Sequence, residues 1–347
     1  MVARSLVLIC LLSACSTQET STAQPSARAP LASSAPSATA TALPSVVALP
    51  PEEPWPRDQA ALLALLPKHE SKHDPWLRRH IDVGGPGKMN QGNQAIAHHA
   101  VGRRACRQGL KAITLQTPEQ RQRCAGHANM VPVYEGGDVS AAETCIDIFE
   151  FPNSPCELPF VWSGATSART MCRKLGKRLC TQDEWMLACG GDPAGGRASR
   201  YAYGEKLDLS ACNTNKPKSK HNREGGCDPS TIDTAWDTCS TNTEPSGSFP
   251  RCRSRFGVFD LHGNVAEAMT RYDADEGKNM SQLKGSAFFY VDVQRSDDGE
   301  RHKDNYPDHC RHDPRWHVQD MAKAWHVNYH LGFRCCLTVA PSNAPSD

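Results

Sequence analysis

The 347-residue chain carries 39 Lys and Arg against 38 Asp and Glu, a net charge of +1. That balance gives no basic excess for a nucleic acid partner and no acidic excess for a basic one. Hydrophobic residues at 39%, with 25 Gly and 25 Pro, suit a loop-rich globular protein with one large domain and appendages.

Residues 1–14 read as a signal peptide: Arg4 precedes an apolar run, Leu6 to Leu12, too short to cross a bilayer. The sequence Leu12-Ser13-Ala14-Cys15 resembles the lipobox of bacterial lipoproteins. That resemblance implies cleavage before Cys15, a lipid on Cys15, and the membrane as a partner through it. The location implied is the bacterial cell envelope, on a periplasmic or outer-surface face; an ordinary secretory signal is the alternative. Residues 15–55, dominated by Ala, Ser, Thr and Pro, read as a disordered tether, because they cannot bury enough apolar surface to offset their ordering entropy.

Sixteen cysteines, less Cys10 in the signal and the lipidated Cys15, leave fourteen. An even number outside the cytoplasm reads as disulfides, and no C-x-x-C pair supports a cysteine-metal site.

Residues 56–128 read as a small helical segment. "DQAALLALLPK" predicts a short helix ending near Pro67, and "NQAIAHHAVGRRACRQGLKAI" and "TPEQRQRCAGHA" predict two more. Cys106 and Cys124 are placed to clip those two together. His98 and His99, adjacent in sequence, point to different faces of a helix and read as surface or packing residues.

From residue 129 the pattern changes. "MVPVYEGG" and "TCIDIFEFPN" read as strands broken by Gly, Pro and Asn. "GATSARTMCRKLGK" predicts a helix with Ala168, Met171, Cys172 and Leu175 on one face and Gly176 as its C-cap. In "LCTQDEWMLAC", Thr181 and Glu184 form a capping-box pattern, with Trp185 and Cys189 on one face. The long stretch that follows has little periodicity and calls for disulfides or ions to hold it.

The ordered set "MVPVYEGG", "FEFPN", "MCRKLGKRLCTQDEWMLAC", "YAYG", "ACN", "GSFP", "FGVFDLHGNVAEA", "LKGSAFF" and "GFRCC" resembles the sulfatase-modifying-factor family, whose namesake is formylglycine-generating enzyme. The resemblance covers residues 129–338 and leaves 339–347 as a disordered tail. It implies a mixed α+β fold of the formylglycine-generating-enzyme and C-type-lectin-like kind, loop-rich and stabilised by disulfides and calcium. It implies the pairs Cys172–Cys335 and Cys189–Cys310, each closing a long loop worth about 4–5 kcal/mol in the chain-entropy account. Cys336 has no implied partner; Cys180 and Cys145 are the candidates.

The resemblance also implies calcium ligands: carboxylates from Asp260 and Glu267 with carbonyls from Gly263 and Val265, and a second site beginning with the Asn213 side chain and the Thr214 carbonyl. Two acids around a tight turn are suitable ligands for a hard cation. The family's oxidase uses two copper-binding cysteines, five apart, after a strand that here is "LKGSAFFYVDVQR". Tyr290 and Arg295 stand at those positions, so no catalytic residue and no copper is expected. The related sulfoxide synthases bind iron through an H-x-x-x-H-x-E pattern that residues 56–128 lack. Ala165, Ala266 and Ala268 stand where the family has tryptophans.

Six histidines crowd residues 302–330: His302, His309, His312, His317, His326 and His330. His309, His312, His326 and His330 are candidate ligands for a transition metal. Two functions follow. One is a non-catalytic, lipid-anchored module that binds a protein, peptide or glycan. The alternative is a divergent iron- or copper-dependent oxidoreductase with histidine ligands. Fold alone does not choose between them.

Overall fold

Local signals in this sequence run over short stretches, and the elements they form are short. In this computed structural model the described residues are 52–67, 74–214, 216–217, 226–289, 309–312 and 318–340, all within one unit spanning residues 51–347. The signal peptide, Cys15, the tether up to residue 51, the tail from 341, and Tyr290, Arg295, His302 and His317 lie outside them.

Helix α1, Gln59–Ala64, starts where the Asp58 carboxylate accepts the Ala61 N–H at 2.8 Å, and it buries Leu62 and Leu63. Helix α2, Pro75–His80, has Asp74 as its cap and a proline in its first turn; its single buried residue, Leu77, left no periodicity to read. Helix α3 is Arg103–Leu110 and α4 is Pro118–Arg123, the latter with a Thr117/Gln120 capping box. The leucines of α1 share one core with Met171, Phe151 and Phe333, so residue 129 is not a domain boundary. Nor does the tether reach residue 55. Glu53 pairs with Arg107 at 2.8 Å, and Trp55 lies 4.4 Å beneath the Arg103 guanidinium.

Only Arg103–Leu110 of the predicted 93–113 helix is helical. Ahead of it, the Ala100 and Val101 N–H groups donate to Glu244 at 2.8 and 2.9 Å, a long-range partner that overrides local propensity. Cys106 and Cys124 do not clip the helices to each other. Cys106 is bonded to Cys156 and Cys124 to Cys145, because each helix packs its cysteine onto the domain behind it.

Strands β1 (Met130–Val133), β2 (Thr144–Asp147), β3 (Arg178–Leu179) and β8 (Cys335–Thr338) form an antiparallel sheet in the order β1-β2-β8-β3. A second sheet, β6-β5-β4-β7, contains β4 (Ala266–Asp273), β5 (Lys278–Lys284), β6 (Gln319–Asp320) and β7 (Leu331–Phe333), with β7 parallel to β4. The chain passes from the second sheet to the first at one residue, Arg334. Backbone carbonyls near such a switch need donors from elsewhere. The buried Arg334 guanidinium supplies them, donating to the carbonyls of Asp147, Ile148 and Phe259 at 3.0–3.3 Å.

Helix α5, Ala165–Lys174, buries Ala165, Ala168, Met171 and Cys172, and Gly176 follows it with φ +70°. Helix α6, Gln182–Gly190, has both halves of the Thr181/Glu184 capping box. Glu184 also accepts from Thr144 on β2 and pairs with Arg178 on β3, tying the helix to the first sheet. Helix α7, Ile232–Thr238, opens with its own capping box at Thr231 inside the stretch read as irregular. On β8, Cys335 is bonded to Cys172 and its neighbour Cys336 to Cys180, since adjacent strand residues face opposite sides.

Candidate functional site

A cleft of about 720 Å³ opens over the outward face of α6. Met186 and Leu187 of α6 form its floor, Tyr134 stands at the turn after β1, and Lys284 comes from the end of β5. Cys310 and Arg311 close one wall. Lys284 is buried; its ammonium donates to the His312 carbonyl and lies 5.8 Å from the Trp185 ring. The lining mixes acids, bases and apolar side chains, which suits an amphipathic ligand over a purely apolar or purely ionic one.

Behind the cleft, the "FDLHGNVAE" turn is folded tightly. A Cβ on Gly263, at φ +75°, would fall 2.2 Å from the Asn213 carbonyl oxygen, so only glycine fits there. Asn264 donates its N–H to that carbonyl at 2.9 Å, and its side-chain oxygen accepts from Asn213 Nδ2 at 2.9 Å. The two segments expected to build separate calcium sites are therefore one buried hydrogen-bonded network.

The donors in this network do not fit calcium, which takes about six to eight oxygens converging on one point. Both Glu267 oxygens are held by Arg334 at 2.6 Å, and Trp185 Nε1 adds a third bond at 3.2 Å. Asp260 accepts the Gly247 N–H at 2.7 Å. Asn213 Nδ2 also donates to the Asn242 carbonyl at 3.2 Å, and the Thr214 hydroxyl donates to the Leu209 carbonyl at 3.1 Å. Beside them Lys216 pairs with the buried Glu244. Glu267 and Glu244 are thus balanced by side chains of the protein, Arg334 and Lys216.

Three buried carboxylates, Glu150, Asp260 and Glu267, face the single Arg334 guanidinium. Burial pushes the Asp260 carboxyl up to about 7, with the Gly247 N–H and Arg334 opposing and the Glu267 charge reinforcing the rise. Burial, helped by the charges of Asp260 and Glu267, also lifts Glu150 well above the usual carboxylate range. Glu150 accepts from Val265 N–H at 2.9 Å and Asn264 Nδ2 at 2.6 Å, so it helps to shape the turn.

Among the described residues, the late histidines are not gathered into one metal site. His309 and His312 flank Cys310 with ring centroids 5.9 Å apart. His330 stands edge-on to Phe289 at 5.1 Å and Tyr329 at 4.7 Å. His326 lines a separate small crevice beside Ala165 and Leu283, where burial lowers its pKa. Of the earlier pair, His99 has Nδ1 2.6 Å from the Thr243 carbonyl.

A histidine that the sequence reading passed over lies closer to the cleft. His262 is 2% exposed, with Nε2 3.4 Å from Cys189 Sγ and 3.9 Å from Cys310 Sγ. Among the described residues these are the one trio of His, Cys, Asp or Glu ligand atoms within metal-ligand reach of one another. The two sulfurs are bonded to each other, so the trio is not a metal site as it stands. In the sequence nothing local marks His262, which stands in the already polar "DLHGN" turn.

A disulfide-stapled α+β scaffold, with two small sheets joined at a buried arginine and a cleft over one helix, defines a formylglycine-generating-enzyme-like domain. The chain belongs to the family described as the sulfatase-modifying factor enzyme 1-like domain, which it matches over residues 91–339. No curated protein matches it. Among solved structures, that of CarF is similar with 14% identity and a TM-score of 0.35, over 61% of this chain and 97% of that one. The U1 and I1 variants of the major tropism determinant share 10% and 11% identity, with TM-scores of 0.29 and 0.27. They align over 61% and 62% of this chain, which spans about half of theirs, 52% and 53%. The seven disulfides point to an extracytoplasmic protein.

Proposed function

We propose that this chain is a lipid-anchored, extracytoplasmic binding module that uses the cleft over α6 to hold a protein, peptide or glycan ligand, without copper-cysteine oxidase activity. The observation that carries the reading is the state of the cysteines. All fourteen from Cys106 onward are paired in disulfides, which leaves no thiol pair for a soft metal ion. The sequence has no cysteine between Phe288 and His309, where the oxidases of this family carry theirs. The cleft, about 720 Å³ and of mixed polarity, is large enough for several residues of a peptide or glycan.

The test pairs a negative with a positive measurement. The purified full chain is analysed for bound metals and incubated with copper(I), oxygen and a cysteine-containing sulfatase-type peptide; no formylglycine is expected. The same protein is applied to peptide and glycan arrays, where binding is expected that Leu187→Arg abolishes. Stoichiometric copper or iron, or turnover of the peptide, would overturn the reading in favour of an oxidoreductase.

A further inference from the structure

Helix α7 rests on few anchors. It has seven residues, fewer than a helix needs to persist alone, and it buries one of them, Ala235. Ile232 is 47% exposed. Trp236 packs half-buried against Trp162 at 5.8 Å, and its carbonyl accepts from Asn93 Nδ2 at 3.0 Å. The covalent anchor is Cys227–Cys239, which closes the loop that contains the helix. This bond differs from the other six disulfides in two respects. Thirteen of the fourteen cysteines from Cys106 onward are at most 2% exposed; Cys227 is the fourteenth, partly exposed between the exposed Gly226 and Asp228. Its loop is also the shortest, with partners 12 residues apart against 21 to 163 for the others. A short loop stabilises the fold least when it is closed, so the fold in turn holds this bond least. The Tyr329 hydroxyl donates to Cys227 Sγ at 3.4 Å, since a disulfide sulfur carries no proton.

We propose that Cys227 is a thiol-modification site: a small thiol opens Cys227–Cys239 ahead of the other disulfides and frees α7 while the rest of the domain stays folded. The thiolate of the incoming molecule attacks Cys227 Sγ, because Cys239 is 1% exposed. The Cys227–Cys239 bond breaks, its electron pair leaves on Cys239 Sγ, and that sulfur takes a proton from water. A monothiol remains on Cys227 as a mixed disulfide. A dithiol reductant goes further. Its second thiolate attacks its own sulfur in the mixed disulfide, the Cys227 thiolate leaves and is protonated, and the reductant departs as a cyclic disulfide. Two electrons and two protons then reside on the two cysteines. A hydroxyl donor beside Cys227 stabilises it as that leaving thiolate, which is the role of Tyr329. With the loop open, α7 keeps one buried residue and loses the constraint at both ends, so it comes away from Trp162. None of these residues lines the cleft over α6, so the inference goes beyond ligand binding there.

The test starts from the unmodified full chain. It is exposed to limiting dithiothreitol under native conditions, quenched with iodoacetamide and mapped by peptide mass. Cys227 and Cys239 are expected to be labelled at least about tenfold faster than any other pair. With 2-mercaptoethanol and an acid quench, the adduct is expected on Cys227. Hydrogen exchange of the opened protein should show lost protection in α7 and unchanged protection in α6. The proposal is overturned if another pair opens first, if all seven open together, if the adduct forms on Cys239, or if α7 stays protected after opening. Cys227→Ala/Cys239→Ala bypasses the chemistry: α7 should be unprotected from the start, with the other six bonds intact. A variant that fails to fold would also overturn the proposal, since the bond would then support the whole domain. Failed array binding alongside selective opening would sink the binding reading and leave this inference standing.

Discussion

Arg334 and Glu267 meet through two hydrogen bonds of 2.6 Å, with neither side chain exposed. Arg334 lies where the chain changes sheets, and Glu267 is the second residue of β4, beside that switch. The pair neutralises a carboxylate that otherwise would require an external cation. Replacing one partner strands the other charge in the interior; replacing both removes that charge and leaves the Asp147, Ile148 and Phe259 carbonyls without their donor. Glu267→Met or Arg334→Met should each lower stability by about 3–5 kcal/mol, and the double variant Glu267→Met/Arg334→Met should recover part of that loss. Urea denaturation of the four proteins checks it; additive losses would refute the pairing. Neither calcium nor a chelator should move the wild-type melting temperature, and a drop with chelator would restore calcium to this turn.

Asp260 gives stability a pH dependence. Its carboxyl titrates at about 7 in the fold, against 3.8 for an unperturbed aspartate. Between those values the folded chain holds a proton that the unfolded chain has lost. The contribution is therefore complete below the unfolded value and is lost as pH rises through the folded one. The loss is at most on the order of 4 kcal/mol. Glu150 acts in the same direction. Asp260→Asn keeps an oxygen for the Gly247 N–H and removes the proton. Measured between pH 5 and pH 8, the urea midpoint of the wild type should fall more steeply than that of Asp260→Asn; parallel curves would contradict a buried, protonated Asp260.

The legible parts of this chain were those set by near neighbours or carried by family likeness. The Thr181/Glu184 capping box and the buried face of α5 are local patterns, visible in any window of a few residues. The partners of Cys172 and Cys189 lie 163 and 121 residues away and came from the resemblance alone. Contacts that no local pattern encodes went unread. Residues 93–102 have helix-forming composition, yet Glu244 takes the N–H groups of Ala100 and Val101 from more than 140 residues away. Glu267 looked like a calcium ligand because its balancing charge, Arg334, is 67 residues distant. His262 has no local mark in the sequence, since what distinguishes it is proximity to two sulfurs on other segments.

The adjacent cysteines on β8 provide a third test. Cys336 is bonded to Cys180 and Cys335 to Cys172, on opposite faces of one strand. Each bond ties β8 to a different element, one to the segment leading into α6 and the other to α5. Removing Cys180 and Cys336 together as alanines should cost about 3–5 kcal/mol while Cys172–Cys335 still forms. Peptide mapping and urea denaturation of Cys180→Ala/Cys336→Ala check both parts. Scrambling of Cys335 in that variant would show that the two staples depend on each other.

Residues 52–55 form a strap across the start of α3. Trp55 packs under Arg103, and Arg103 is itself buried and paired with Glu157 at 2.6 Å. Glu52 accepts the Arg104 N–H at 2.9 Å in the first turn of α3, where the helix has orphan donors and no side-chain cap. The strap therefore supplies both an aromatic cover for the arginine and the missing cap. Trp55→Ala should lower stability by about 1–2 kcal/mol, and Glu52→Gln by less, since the amide oxygen still accepts. Hydrogen exchange locates the effect: amides in the first turn of α3 should lose protection in both variants, while those of α6 should not. Equal loss across both helices would mean that the strap supports the whole domain and does not act as a local cap on α3.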